Sequence, residues 1–112
     1  MLPPRISRKS DKAERGKRSP AHRKWVRGHA CCACGSEEGI ECAHVRTADN
    51  SGTGYKPSDA FTLSLCQSCH RQSHTQGTDT FEAAWGIDQM KLARAFYFAS
   101  PHRAKLENPY AD

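Results

Sequence analysis

Two Cys-x2-Cys pairs, Cys31/Cys34 and Cys66/Cys69, punctuate this chain of 112 residues. Thiolates at this spacing can take two corners of a tetrahedron from one tight turn, so two such turns complete a structural zinc site. Any fold of the chain must then bring residues 31–34 against residues 66–69. Reduced core cysteines or disulfides are the other readings of the pattern. Cys32 and Cys42 are left over. Cys42 reads as a core residue of a strand. Cys32 competes with Cys31 as a ligand, although only Cys31 has the x2 spacing to Cys34.

A metal staple suits the size and composition. The length leaves room for one domain, and only 37% of residues are hydrophobic, so the core is expected to be thin. Met1–Ser19 has no apolar stretch typical of a signal peptide, and no apolar run of ~20 residues could span a membrane. The expectation is a cytoplasmic protein with reduced thiols, no membrane partner and no small-molecule cofactor.

The net charge of +5 is unevenly spread. Residues 1–30 hold ten Lys/Arg against Asp11 and Glu14, a balance of +8, and the remainder carries −3. A basic arm on a near-neutral domain suits a nucleic-acid partner; a solvated tail that only aids solubility is the plainer reading. The sequence thus divides into a basic arm over 1–22, expected to be disordered when free, a domain over 23–100, and a tail over 101–112.

Within the domain, Ile40–Val45 reads as a short strand, with Ile40, Cys42 and His44 on one face. Residues 46–59 are rich in Gly, Ser, Asn, Asp and Pro and read as a long loop, of a length that is usually functional. Phe61–Leu65 alternates as a second strand, and a helix runs from about Cys69 to Gln76, stopped by Gly77. Asp79-x-x-Glu82 has the form of a capping box. Asp88 is a cap for a further helix over Gln89–Ala99, with Met90, Leu92, Ala93, Phe96 and Tyr97 as its core stripe.

His70 and His74 are four apart on the expected helix and lie on one face, able to share a metal ion. His44 comes from the preceding strand. Other assignments remain open at this point: His70 could join the zinc site, Cys66, Cys69 and His74 could form a rival zinc set, His74 could be a surface residue, and His44 a buried structural one.

At these residues the chain resembles the HNH, or ββα-metal, endonucleases. It is most similar to the Cys/His-rich members of phages and prophages, including the RecA-dependent nucleases of phage recombination. The carrying residues are Trp25-Val26-Arg27, Cys31-x2-Cys34-Gly35, Ala43-His44-Val45-Arg46-Thr47, Gly54-Tyr55-Lys56-Pro57-Ser58-Asp59 and Leu65-Cys66-x2-Cys69-His70-x3-His74. The resemblance implies a small α+β fold, a ββα-metal core stapled by zinc and extended by C-terminal helices. It implies His44 as general base, His70 and His74 as ligands of a catalytic magnesium or manganese, and a structural zinc on Cys31, Cys34, Cys66 and Cys69. The implied reaction is hydrolysis of DNA phosphodiester bonds in a bacterial host cell, with a recombinase–DNA filament as a further partner. Arg46, Lys56 and Arg71 are the candidate phosphate contacts.

Two positions depart from the family pattern. Ala43 stands where many relatives carry a metal-binding Asp or His, and Ala43→Asp is expected to be tolerated. The family's middle Asn is not evident, and Asp59 is the nearest polar residue able to orient His44. Against the nuclease stand two other classes: a non-enzymatic zinc ribbon that binds nucleic acid through its arm, and a zinc-held adaptor for a protein partner. The His44, His70 and His74 set separates the first reading from the other two, because a ribbon has no need of it.

Overall fold

The computed structural model describes residues 2–3, 16–47 and 57–110. Helix α1 (Pro20–Arg27) is followed by strand β1 (Ile40–His44), strand β2 (Thr62–Cys66), and helices α2 (Gln67–Gln76), α3 (Thr78–Trp85) and α4 (Gln89–Ala99). A 3-10 turn at Arg103–Lys105 follows. The result is a small α+β arrangement around a two-stranded sheet. No helix among the described residues is long and apolar enough to cross a membrane.

The strands are antiparallel, with Ile40 opposite Cys66, Ala43 opposite Leu63 and His44 opposite Thr62. This register carries β2 directly into α2: Cys66 ends the strand and caps the helix, its sulfur accepting from Cys69 N–H. The helix therefore starts at Gln67, earlier than the expected Cys69. Gly77 closes it in a positive-φ conformation that a side chain would strain.

Every residue of β2 is buried, although its sequence alternates polar and apolar. Leu63 and Leu65 enter the main core with Ala43, Val45, Phe81, Ala93 and the sulfurs of Cys31, Cys66 and Cys69. The opposite face is covered too, and its hydroxyls are satisfied: Thr62 donates to Asp59 O at 2.6 Å, and Ser64 to Ala30 O at 2.7 Å. Alternation here records hydrogen bonding to the covering segments rather than contact with water.

Ala43 is 2% exposed, which overturns the expected tolerance of Ala43→Asp. A carboxylate there would sit in the apolar core with no partner. Cys42 is likewise displaced from its expected place: it is half-buried and lines a surface depression instead of the core.

The folded body takes in residues on both sides of the 23–100 span. Ser19 caps α1 by accepting from His22 N–H at 3.1 Å, with Pro20 in the first turn. His22 is fully buried, its ring between Ser100 Oγ at 2.8 Å and Thr62 Oγ1 at 3.4 Å. Burial holds its pKa below the ordinary value and keeps it neutral. Most of the basic arm (1 and 4–15) lies outside the described residues.

Two details of the C-terminal helices differ from expectation. Asp79 makes no cap bond, because α3 begins at Thr78 after Gly77. Glu82 accepts instead from the backbone N–H of Gln89, joining α3 to the start of α4. Asp88 does cap α4, accepting from Lys91 N–H at 3.0 Å. Of the α4 stripe, Ala93 and Tyr97 are buried, while Met90, Leu92 and Phe96 are half-buried against the core. Beyond Pro101, Leu106 packs with Ala60, Tyr97 and Tyr110 in a second small cluster, and Tyr110 Oη donates to Ala60 O at 2.8 Å.

The segment after Pro101 is thus part of the core. Leu106→Ala should lower unfolding free energy by about 2–5 kcal/mol, the usual cost of a buried leucine. Urea denaturation of the two proteins checks this; equal midpoints would show that the segment contributes nothing.

Candidate functional site

Two constellations emerge from this framework. The first is the cysteine cluster. Cys31 and Cys34 lie in a turn before β1, which Gly35 closes at φ 79° with its N–H on Cys31 O at 3.0 Å. Cys66 and Cys69 bracket the start of α2. In each knuckle the second cysteine's N–H points at the first sulfur, Cys34 to Cys31 and Cys69 to Cys66, both at 3.5 Å. The four sulfurs lie within 4.8 Å of one another, and Cys34 Sγ to Cys66 Sγ is 3.6 Å. Four sulfurs bound at ~2.3 Å to a tetrahedral zinc would be about 3.8 Å apart, so the cluster could hold a structural metal such as zinc.

The chemistry of the donors points the same way. Burial opposes ionisation of Cys31, but backbone N–H groups around its sulfur outweigh it and bring its pKa to about 6. Burial and the three neighbouring sulfurs push Cys69 strongly up. A cation is what would let all four ionise together. Cys32 is outside the cluster, with its sulfur 3.5 Å from Ser64 Oγ, and no histidine belongs to the cluster among the described residues. This geometry selects Cys31 over Cys32, and leaves His70 and His74 available elsewhere.

The second constellation lines an open depression of about 430 Å³ formed by Arg23, Arg27, Glu41, Cys42, His44, Arg46, His70 and His74. His44, at the end of β1, has its Nε2 2.9 Å from Asp59 Oδ1. Asp59 is fully buried. Its other oxygen, Oδ2, accepts from Ser19 N–H at 2.8 Å and from the Arg23 guanidinium. Arg18 stands 3.8 Å from Oδ1. Burial raises the carboxyl pKa, but these donors, His44 first, overcome it and hold it at about 2.

Across the depression, on α2, His70 and His74 face each other with Nε2 to Nε2 at 3.1 Å. His70 Nδ1 is 2.8 Å from Glu41 Oε1 on β1. Arg46 is exposed on the segment leaving β1 and lines the rim. Arg71 borders an adjoining hollow of about 320 Å³ with Glu41, Gln67, His70 and His74. Lys56 lies outside the described residues.

The structure thus brings His44, Asp59, His70, His74 and Arg46 to one place, with Arg71 at its edge. Glu41, Arg23, Arg27 and Ser19 were missed. Arg23 and Arg27 had a usable signal, since four-residue spacing puts them on one face of α1. Glu41 had none, being a lone acidic residue in a strand.

A family model described as a protein of unknown function (DUF968) matches residues 3–101. No curated protein matches the chain, and no solved structure does.

The Asp59 network predicts a pH dependence. The folded carboxyl stays ionised down to about pH 2, whereas an unfolded one protonates near 4. The unfolded state therefore takes up the proton first, and the contribution of Asp59 is present at neutral pH and lost as pH falls from about 5 toward 2. The shift corresponds to roughly 2 kcal/mol. Asp59→Asn should be less stable than the parent by at least that amount at pH 7, with the gap closing in acid. Urea unfolding of both proteins across this range reads it; a gap independent of pH would contradict the assignment.

Proposed function

The chain belongs to the DUF968 family, and we propose that this member is a metal-dependent DNA endonuclease of the HNH type. The observation that carries the reading is the pairing, in one Arg-rimmed depression, of a carboxylate-held imidazole with two imidazoles whose Nε2 atoms converge at 3.1 Å. The antiparallel hairpin running into a helix supports it, since that order is the ββα core of the HNH enzymes. A zinc ribbon that only binds nucleic acid has no use for a buried aspartate behind one histidine and a helix pair opposite.

Asp59 is ionised at any physiological pH and accepts the Nε2 proton of His44. The neutral ring then carries its lone pair on Nδ1, which is the atom that takes a proton from water. The water oxygen forms the new bond to phosphorus, the bond to the leaving sugar oxygen breaks, and that oxygen is protonated from solvent. Asp59 stabilises the imidazolium that results, and its own orientation is fixed by Arg23 and Ser19. Arg27 and Arg46 are placed to hold phosphate oxygens, Arg46 with the planar fork suited to them. His70 and His74 would hold the magnesium or manganese ion, which supplies charge stabilisation at the phosphate. In this scheme Asp59 takes the orienting part for which the family's middle Asn is missing, and the closed cysteine cluster takes no part in the chemistry.

Plasmid DNA incubated with the zinc-loaded protein should be nicked with Mg²⁺ or Mn²⁺ and left intact with EDTA. His44→Ala should lower the rate by ~10²–10⁴ with zinc content retained, at some loss of stability because Asp59 Oδ1 loses its closest partner. A His44→Ala protein that cuts as fast as the parent would remove this mechanism and favour the nucleic-acid-binding ribbon.

A further inference from the structure

The two helix histidines have a third partner that the proposed chemistry does not use. Glu41 Oε1 lies 2.8 Å from Nδ1 of His70, and its side chain is 44% exposed. It is therefore not a core residue held in place by packing. We propose that Glu41 is a positioning residue: it fixes the tautomer and ring angle of His70, so that His70 Nε2 and His74 Nε2 offer their lone pairs to a single divalent cation.

A carboxylate can only accept, so its contact with Nδ1 requires the proton of neutral His70 to sit there. The lone pair of His70 is then on Nε2, the nitrogen that faces His74. At 3.1 Å two lone pairs would repel, so without a cation the Nε2 of His74 carries a hydrogen and donates it. His74 is exposed, and its ring can pass that hydrogen to Nδ1 through solvent when a cation arrives. Both Nε2 atoms are then free as ligands, and neither ring changes its net charge. Two nitrogens each about 2.1 Å from one ion, at roughly a right angle, lie about 3 Å apart. The pair is thus already at its chelating distance.

Glu41 and Ala43 divide the consequences of the departure from the family pattern. The Ala43 side chain faces the core and cannot contribute a ligand. Glu41 reaches the site from the same strand, but through the far nitrogen of a ligand rather than by binding the ion itself.

This inference rests on the nuclease reading only in taking the cation to be the catalytic one. The test is Mn²⁺ binding to the zinc-loaded full chain, followed by the electron paramagnetic resonance signal of free Mn²⁺. Glu41→Ala should raise the Kd about 10–100-fold, with the thermal midpoint little changed. Glu41→Gln should fall between Glu41→Ala and the parent, because an amide oxygen accepts the same N–H without the charge. His74→Ala should also weaken binding. A Glu41→Ala protein with the parent's Kd, whatever its thermal midpoint, overturns the proposal, and so does a parent that binds no Mn²⁺. Plasmid cleavage measured alongside separates the two ideas. Glu41-dependent binding in a parent that cuts nothing keeps this assignment and removes the nuclease reading. Cleavage with Glu41-independent binding removes this assignment alone.

Discussion

Four sulfur atoms drawn within 4.8 Å of one another are the constraint on which the other elements depend. They join a turn that precedes β1 to the junction of β2 and α2, segments that the apolar core alone would hold weakly. Three of the four cysteines are buried in the same cluster as Leu63, Leu65 and Phe81, so a metal held there would couple its binding to core packing. Cys69 immediately precedes His70. Pinning its sulfur sets where α2 begins and which way His70 and His74 face. The site on the depression is in this sense built outward from the cysteine cluster.

The second anchor is electrostatic. Burying the Asp59 carboxylate costs several kcal/mol unless every oxygen is matched. Here the N–H of Ser19, the Arg23 guanidinium and the His44 ring match it. These partners come from α1 with its cap and from the end of β1, so one ion ties both to the segment before β2. The same contacts hold the imidazole of His44 at the mouth of the depression. Structural stability and the orientation of the proposed base are thus two effects of one buried charge. The histidine pair on α2 is arranged differently, with a half-exposed carboxylate contacting a single ring.

Much of this was legible because short-range rules apply. The x2 spacing marked the knuckles, and the i, i+4 spacing put His70 and His74 on one face. Asp59 was found as the partner of His44 because few polar residues were near enough in sequence. What escaped depends on contacts between distant segments. The alternation of β2 reads as a half-exposed strand until α1 covers its second face. The burial of Ala43 follows from which face of β1 meets the core, and the resemblance to the HNH enzymes pointed the other way at that position. Ser19 and His22 looked like part of a solvated arm, because their burial depends on Asp59 and Ser100, 40 and 78 residues away. Leu106 and Tyr110 carried no periodic signal at all.

Zinc K-edge X-ray absorption on the purified, one-zinc protein reads directly which atoms hold the ion. It also separates the ligand sets that the sequence alone left open. The expected result is four sulfurs at about 2.3 Å with no nitrogen, from Cys31, Cys34, Cys66 and Cys69, and an unaltered spectrum in a His70→Ala, His74→Ala double variant. A shell containing imidazole nitrogen, lost in that variant, would place the helix histidines on the structural ion and contradict the division between a metal that holds the fold and a site left free to act.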